Sequence, residues 1–108
     1  MTVVDRGGHP QVVLRDVLAM DLTLEMSRKK AYTAMSFNAP TSRLEVRAES
    51  PLANHDTLMF SGGGVPVTAA GSIVGGIGVS GAPSGEMDEI CAQAGIDAVA
   101  EDLERSAM

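Results

Sequence analysis

Cysteine is almost missing from this chain: Cys91 stands alone among 108 residues. A single thiol excludes an internal disulfide and a clustered thiolate metal site. Tryptophan is absent, and Tyr32, Phe37 and Phe60 are the only aromatic residues. A core with so few rings has to be assembled from Val, Ile, Leu, Met and Ala. Positive charge is also scarce. Eight Lys and Arg stand against 14 Asp and Glu, a net charge of −6. That balance argues against a nucleic-acid binder, whose footprint is basic, and against attraction to an anionic membrane surface. Arg28-Lys29-Lys30 is the one basic cluster, and so short a run is ordinarily a solvated helix face. No apolar run reaches transmembrane length, and the opening MTVVDRGGHP lacks an apolar signal region. Histidine appears twice, as His9 and His55. Neither has acidic neighbours at ligand spacing, so no metal site is expected. These absences leave a cytoplasmic protein with no nucleic-acid or membrane partner, one domain over residues 1–108.

What the chain has in excess is glycine, 12 residues, and methionine, seven. The glycines gather between Gly62 and Gly85, so their work is local. Thr2 to Asp5 and Pro10 to Arg15 are β-rich runs on either side of Gly7-Gly8, which reads as a hairpin with His9 at or just past its tip. Asp21 or Thr23 can cap a helix reaching about Met35, with Met20, Leu24, Ser27, Ala31 and Met35 on one face. Pro40 breaks the chain. Ser42-x-x-Glu45 matches a capping box, so Thr41 to Glu49 reads as a short second helix. Val65 to Ala70 and Ser72 to Ser80 read as strands joined at Gly71. A last helix runs from Glu86 to Arg105, with Ile90, Cys91, Ala94, Ala98 and Leu103 as its buried stripe. Glu86, Asp88 and Glu89 suit its positive end. The pattern is α+β, an antiparallel sheet flanked by helices.

Gly76-Ile77-Gly78-Val79-Ser80-Gly81 matches G-x-G-x-x-G, the spacing of a dinucleotide loop. Its context does not. Gly76 and Gly78 alternate with Ile77 and Val79 inside an apolar strand, where a fingerprint needs them in the turn. Pro83 and Gly85 delay the helix, and its first turn carries carboxylates that repel phosphate. No second parallel strand follows within the chain. Gly76 and Gly78 instead bare the backbone on one sheet face. A helix of the same chain, a planar ligand or a neighbouring subunit could approach there.

The stretches Gly63-Gly64-Val65-Pro66, Gly71-x-x-Val74-Gly75-Gly76-Ile77-Gly78-Val79-Ser80-Gly81 and Asp88-Glu89-x-x-Ala92-x-Ala94-Gly95 resemble the signature of the haem-degrading-domain family, with its GlcG/HbpS-like members. Val3-Val4-Asp5-x-Gly7-Gly8-His9 resembles that family's hairpin. Lys30-Ala31-x-Thr33-Ala34 resembles its helix motif, and Phe37-x-x-Pro40-Thr41 the break after it. The resemblance spans nearly the whole chain. It implies a profilin-like sheet flanked by helices, homo-oligomers, and haem or a related tetrapyrrole as ligand in some members. It also implies a helix before the first strand, which here begins at Thr2. Without that helix apolar sheet surface is uncovered, which favours association.

Placed by the matched motifs, Lys30 and Thr33 enter the candidate ligand set, Lys30 as the cation for a small acid or a haem propionate. Gly63, Gly64, Ser80 and Gly81 could turn backbone N–H groups toward an anion. An axial ligand for haem iron needs one suitable side chain, and His9, His55 or a methionine can supply it. Asp88 reads as a cap or orienting residue of the last helix, and Cys91 as core. No nucleophile–base constellation is present; Ser61 and Ser80 lie near glycines but outside any nucleophile elbow. Three functions fit: an oligomeric protein binding haem, another tetrapyrrole or a small acid; an enzyme acting on a small organic acid at a subunit interface, through Lys30, His9 or a glycine-loop amide; or a structural subunit of a larger complex.

Overall fold

In a computed structural model, the backbone is described for residues 1–107 and side chains through Arg105. The hairpin expected around Gly7-Gly8 forms from β1 (Thr2–Asp5) and β2 (Pro10–Val13). A second hairpin pairs β3 (Gly64–Ala69) with β4 (Ser72–Gly78). Its tight turn places Ala70 at φ +51° and Gly71 at φ +80°, the two left-handed residues that match the twist of the flanking strands. β1 then pairs antiparallel with β4, giving one sheet of order β2-β1-β4-β3. Helix α1 (Leu22–Phe37) lies on one face and α2 (Gly85–Ala107) on the other. This is the α+β, profilin-like arrangement the sequence predicts. Among the described residues, no helix is long and apolar enough to cross a membrane.

The two faces are packed by opposite means. The row Thr2, Gly78, Gly64 and the row Val4, Gly76, Pro66 face α1. A Cβ at Gly64, Gly76 or Gly78 would strike the carbonyl oxygen of Lys30, Ala31 or Ser27. The glycines thus admit the helix of their own chain to backbone contact. Ser27 is fully buried there and shares a hydrogen bond with Thr2 Oγ1 at 2.8 Å. On the other face Val65 and Ile77 bury Ala92 of α2, with Val3, Val67 and Ile96 packed around them.

Local readings were overruled where tertiary partners were better. Asp21 precedes α1 but makes no side-chain cap. The expected capping box does not form. Ser42 gives its N–H and hydroxyl to the Glu89 carboxylate at 3.1 and 2.7 Å, and Glu45 accepts Gly62 N–H at 3.0 Å. The segment winds as a 3-10 helix, Thr41–Arg47, followed by another at Pro51–Asn54. The stripe assigned to the last helix is also corrected. Ile90 is 63% exposed and Cys91 is exposed, while Asp88 and Ala92 are buried. Apolar residues occur on more than one side of α2, and the inward row begins with a charged residue that a hydrophobic count passes over.

Candidate functional site

The candidate site lies where β4 ends and α2 begins. Lys30 sits on the buried side of α1 because that helix rests directly on sheet backbone. Its Nζ donates to Val79 O at 3.2 Å and to Asp88 Oδ2 at 3.4 Å. The two charged side chains are only 3% and 5% exposed. Asp88 Oδ1 accepts Ala82 N–H at 2.9 Å, so one ion pair fastens α1, the end of β4, the loop after it and α2. Charges this deep need each other, because desolvation of either alone is costly. Gly63 makes room for the lysine. At φ +132°, a side chain there would also meet Lys30 Cδ and Nζ at 2.9 Å.

Over this pair opens a cavity of about 340 Å³, lined by Lys30, Asp88, Ser61, Ser80, Gly81 and the loop to Gly85, with Met20, Leu22 and Met26 as an apolar wall. That volume falls at the small end of the range for ligand sites, and the mixture of apolar wall and a few polar groups is typical of them. Ser80 Oγ lies 3.9 Å from Met26 Sδ.

The structure thus brings together Lys30, Gly63, Ser80 and Gly81. Gly64 is next to them but lies under α1, with its N–H given to Thr41 Oγ1 at 2.8 Å. Thr33 is fully buried; it donates to Lys29 O at 2.7 Å and accepts Met59 N–H at 2.9 Å, pinning the segment before Phe60 to α1. His9 does not reach the cavity. Its turn lies at the Gly75 end of β4, against Tyr32 and Met35, whereas the cavity lies beyond the Gly78 end. His55 turns back onto Thr57. Sequence reading missed the cavity wall of Met20 and Met26 and the role of Asp88 as the partner of Lys30. Lys30 and Asp88 are 58 residues apart, and no spacing rule links them.

Tested against these residues, haem finds an apolar wall, a buried cation and two thioethers that can serve iron. No histidine lines the cavity, so an imidazole ligand would have to come from elsewhere. Among the described residues no three His, Cys, Asp or Glu side chains gather as a metal site.

Fold and cavity define a small α+β protein with a buried ion pair under an open slot. The family model for haem degrading protein HbpS-like matches residues 1–97, and the chain belongs to that family. A double mutant of Streptomyces reticuli HbpS superposes with a TM-score of 0.84 at 45% identity, covering 91% of this chain and 68% of that one. The PduOC:heme complex gives a TM-score of 0.81 at 29% identity, covering 90% and 75%. An uncharacterized 15.0 kDa protein from the dhaT-dhaS intergenic region of Citrobacter freundii is 30% identical over 107 residues, 93% of this chain and 75% of the relative.

Proposed function

We propose that this protein binds haem or a related tetrapyrrole as a homo-oligomer. The observation that carries the reading is the likeness to the PduOC:heme complex, across 90% of this chain, in a chain matched over residues 1–97 by an HbpS-like model. The proposed ligand set is Lys30, Ser80 and Gly81, with Gly63 seating the lysine; of the other residues expected from the sequence, Thr33 and Gly64 spend their polar groups on internal bonds and His9 lies at the far end of the sheet. The cavity over Lys30 takes a carboxylate-bearing edge, with Ser80 and Gly81 beside it. Lys30 is already paired with Asp88, so an incoming carboxylate competes with or shares that contact.

Association is supported by the bare segment after β1. All four β2 residues are exposed. Val12, Val13, Leu14, Val17, Leu18, Met20 and Leu22 then leave 46% to 90% of their surface in water. So dense a run of exposed apolar side chains is what an interaction site offers. The modest cavity favours a second ligand class, a small organic acid seated on Lys30.

Haemin titration of the purified protein, with size-exclusion chromatography on the same sample, tests the reading. A saturable Soret shift at one haem per chain or per dimer, from an oligomer, is expected. No shift from a folded oligomer rejects the tetrapyrrole and leaves the small acid.

A further inference from the structure

The cavity over Lys30 is electrically balanced before anything enters it. Of its lining residues Lys30 and Asp88 alone are charged, one of each sign. Its hydrogen-bond donors are not used up. An ammonium carries three N–H groups, and Lys30 spends two, on Val79 O at 3.2 Å and on Asp88 Oδ2 at 3.4 Å. Both contacts are long for a charged donor. The Ser61 and Ser80 hydroxyls border the same space. Among the described residues the Ser80 hydroxyl has no hydrogen-bond partner other than the Met26 sulfur, at 3.9 Å.

A carboxylate drawn to these donors comes to lie beside the Asp88 carboxylate, because one ammonium serves both. Two carboxylates on a single buried cation leave a negative charge unpaired, and burial penalises it. The charged groups around Asp88 do not offset it. The positive end of α2 already carries Glu86 and Asp88 in its first turn. The Met1 ammonium acts on Asp88, but it is given to Leu14 O at 2.8 Å, and burial holds it below its ordinary value. Cys91, on the same helix as Asp88, acts on that amine and brings no positive charge. Glu45, from the 3-10 segment, adds a carboxylate on the Gly62 N–H, and the Gly62 backbone lies against Gly85 at the cavity rim. Crowded carboxylates resolve such a conflict by sharing one proton.

We propose that the cavity takes a carboxylate together with one proton, held between the guest and Asp88 while Lys30 binds both. This rests on the reading of the cavity as a carboxylate seat, filled by a small acid or by the propionate edge of a tetrapyrrole. The ligand class is a monocarboxylic acid with a short apolar chain against Met20, Leu22 and Met26. A second carboxylate or a phosphate in the slot brings charge that one proton does not cancel.

Propionate is ionised from about pH 6 to about pH 8, so each one bound draws a proton from solution. Its affinity therefore falls about tenfold for each pH unit raised. Carbon NMR that resolves side-chain carboxyls, with propionate titrated into the protein across that range, tests the proposal. The expected Asp88 carboxyl signal moves to the protonated position as propionate saturates, and the affinity follows pH as stated. Propionamide, of the same shape without the charge, binds with no pH dependence and leaves that signal in place. Asp88→Asn removes the competing charge, so its propionate affinity loses the pH dependence. The wild-type carboxyl signal decides alone if that variant does not fold. It also separates the Met1 amine, whose loss of a proton weakens binding without moving Asp88. Bound propionate with an unmoved Asp88 signal overturns the shared proton and leaves the carboxylate seat standing. If propionate does not bind, zinc protoporphyrin and its dimethyl ester take its place. An Asp88 shift with the free acid and none with the ester carries the proposal through the propionate edge. Binding of both with no shift overturns it and leaves the tetrapyrrole reading standing. If neither binds, the carboxylate seat fails and the proposal falls with it.

Discussion

Lys30 of α1 and Asp88 of α2 close an ion pair at 3.4 Å with both side chains nearly sealed from water. Neither charge is useful to the fold alone. Asp88→Asn or Lys30→Met strands the other group, and each should cost about 3 kcal/mol in urea unfolding. The double variant should recover much of that loss, because Asn still offers an oxygen to Ala82 N–H. Losses that simply add in the double variant would mean the pair is not coupled.

Two glycines should respond in opposite directions to alanine. A Cβ at Gly78 drives into the Ser27 carbonyl, so Gly78→Ala should destabilise by about 3 kcal/mol, at the upper end of overpacking costs. At Gly95, within α2, the nearest obstacle is Ile77 Cδ1 at 3.6 Å, an ordinary contact. Gly95→Ala should raise stability by about 0.5–1 kcal/mol through helix propensity. Thermal unfolding of the two variants checks the sign of each.

Acid should loosen the β1–β2 turn before the rest of the sheet. The Asp5 carboxyl lies below its usual 3.8, chiefly because the His9 backbone N–H bonds the anion, with Gly7 N–H adding to it. A depressed carboxyl stabilises the folded form above 3.8 and loses that contribution as pH falls through the lower folded value. Amide protection at Gly7 and His9, corrected for the intrinsic slowing of exchange in acid, should fall in that window. Asp5→Asn should show no such step.

Val17 and Leu18 are 86% and 90% exposed. If this segment joins protomers, Val17→Ser with Leu18→Ser should shift size-exclusion elution toward the monomer. The monomer's own stability should move by no more than about 0.5 kcal/mol per site, as for ordinary surface positions. An unchanged oligomer would place the interface elsewhere.

Much of the architecture was legible because it is local. Gly7-Gly8 and Gly71 announce hairpins, and the Gly76/Gly78 alternation announces a bare sheet face. The sequence also ruled out a nucleotide loop, since those glycines fall inside a strand. What it left open was which of three things covers them, and the structure answers with α1. The Ser42 and Glu45 side chains were misread because a capping box competes with distant partners, here Glu89 and Gly62. Cys91 was misplaced because an inward Asp88 does not register in an apolar stripe. The candidate site was half visible: Lys30, Ser80 and Gly81 came from motif likeness, while Asp88 as counter-ion depends on contact across 58 positions.

The unequal packing of the two sheet faces has a mechanical consequence. α1 rests carbonyl against bare Cα at Gly64, Gly76 and Gly78, with only Thr2, Val4 and Pro66 as side chains in the two sheet rows beneath it, so it and the sheet form one stiff plate. α2 rests on aliphatic side chains, which can slide and repack. The floor of the cavity, Lys30, is carried by the plate. Its rim, from Ser84 through Asp88, is carried by the compliant helix. Any widening of the slot to admit a guest therefore falls to the α2 side, and the Lys30–Asp88 contact is the hinge pin such a movement would have to strain.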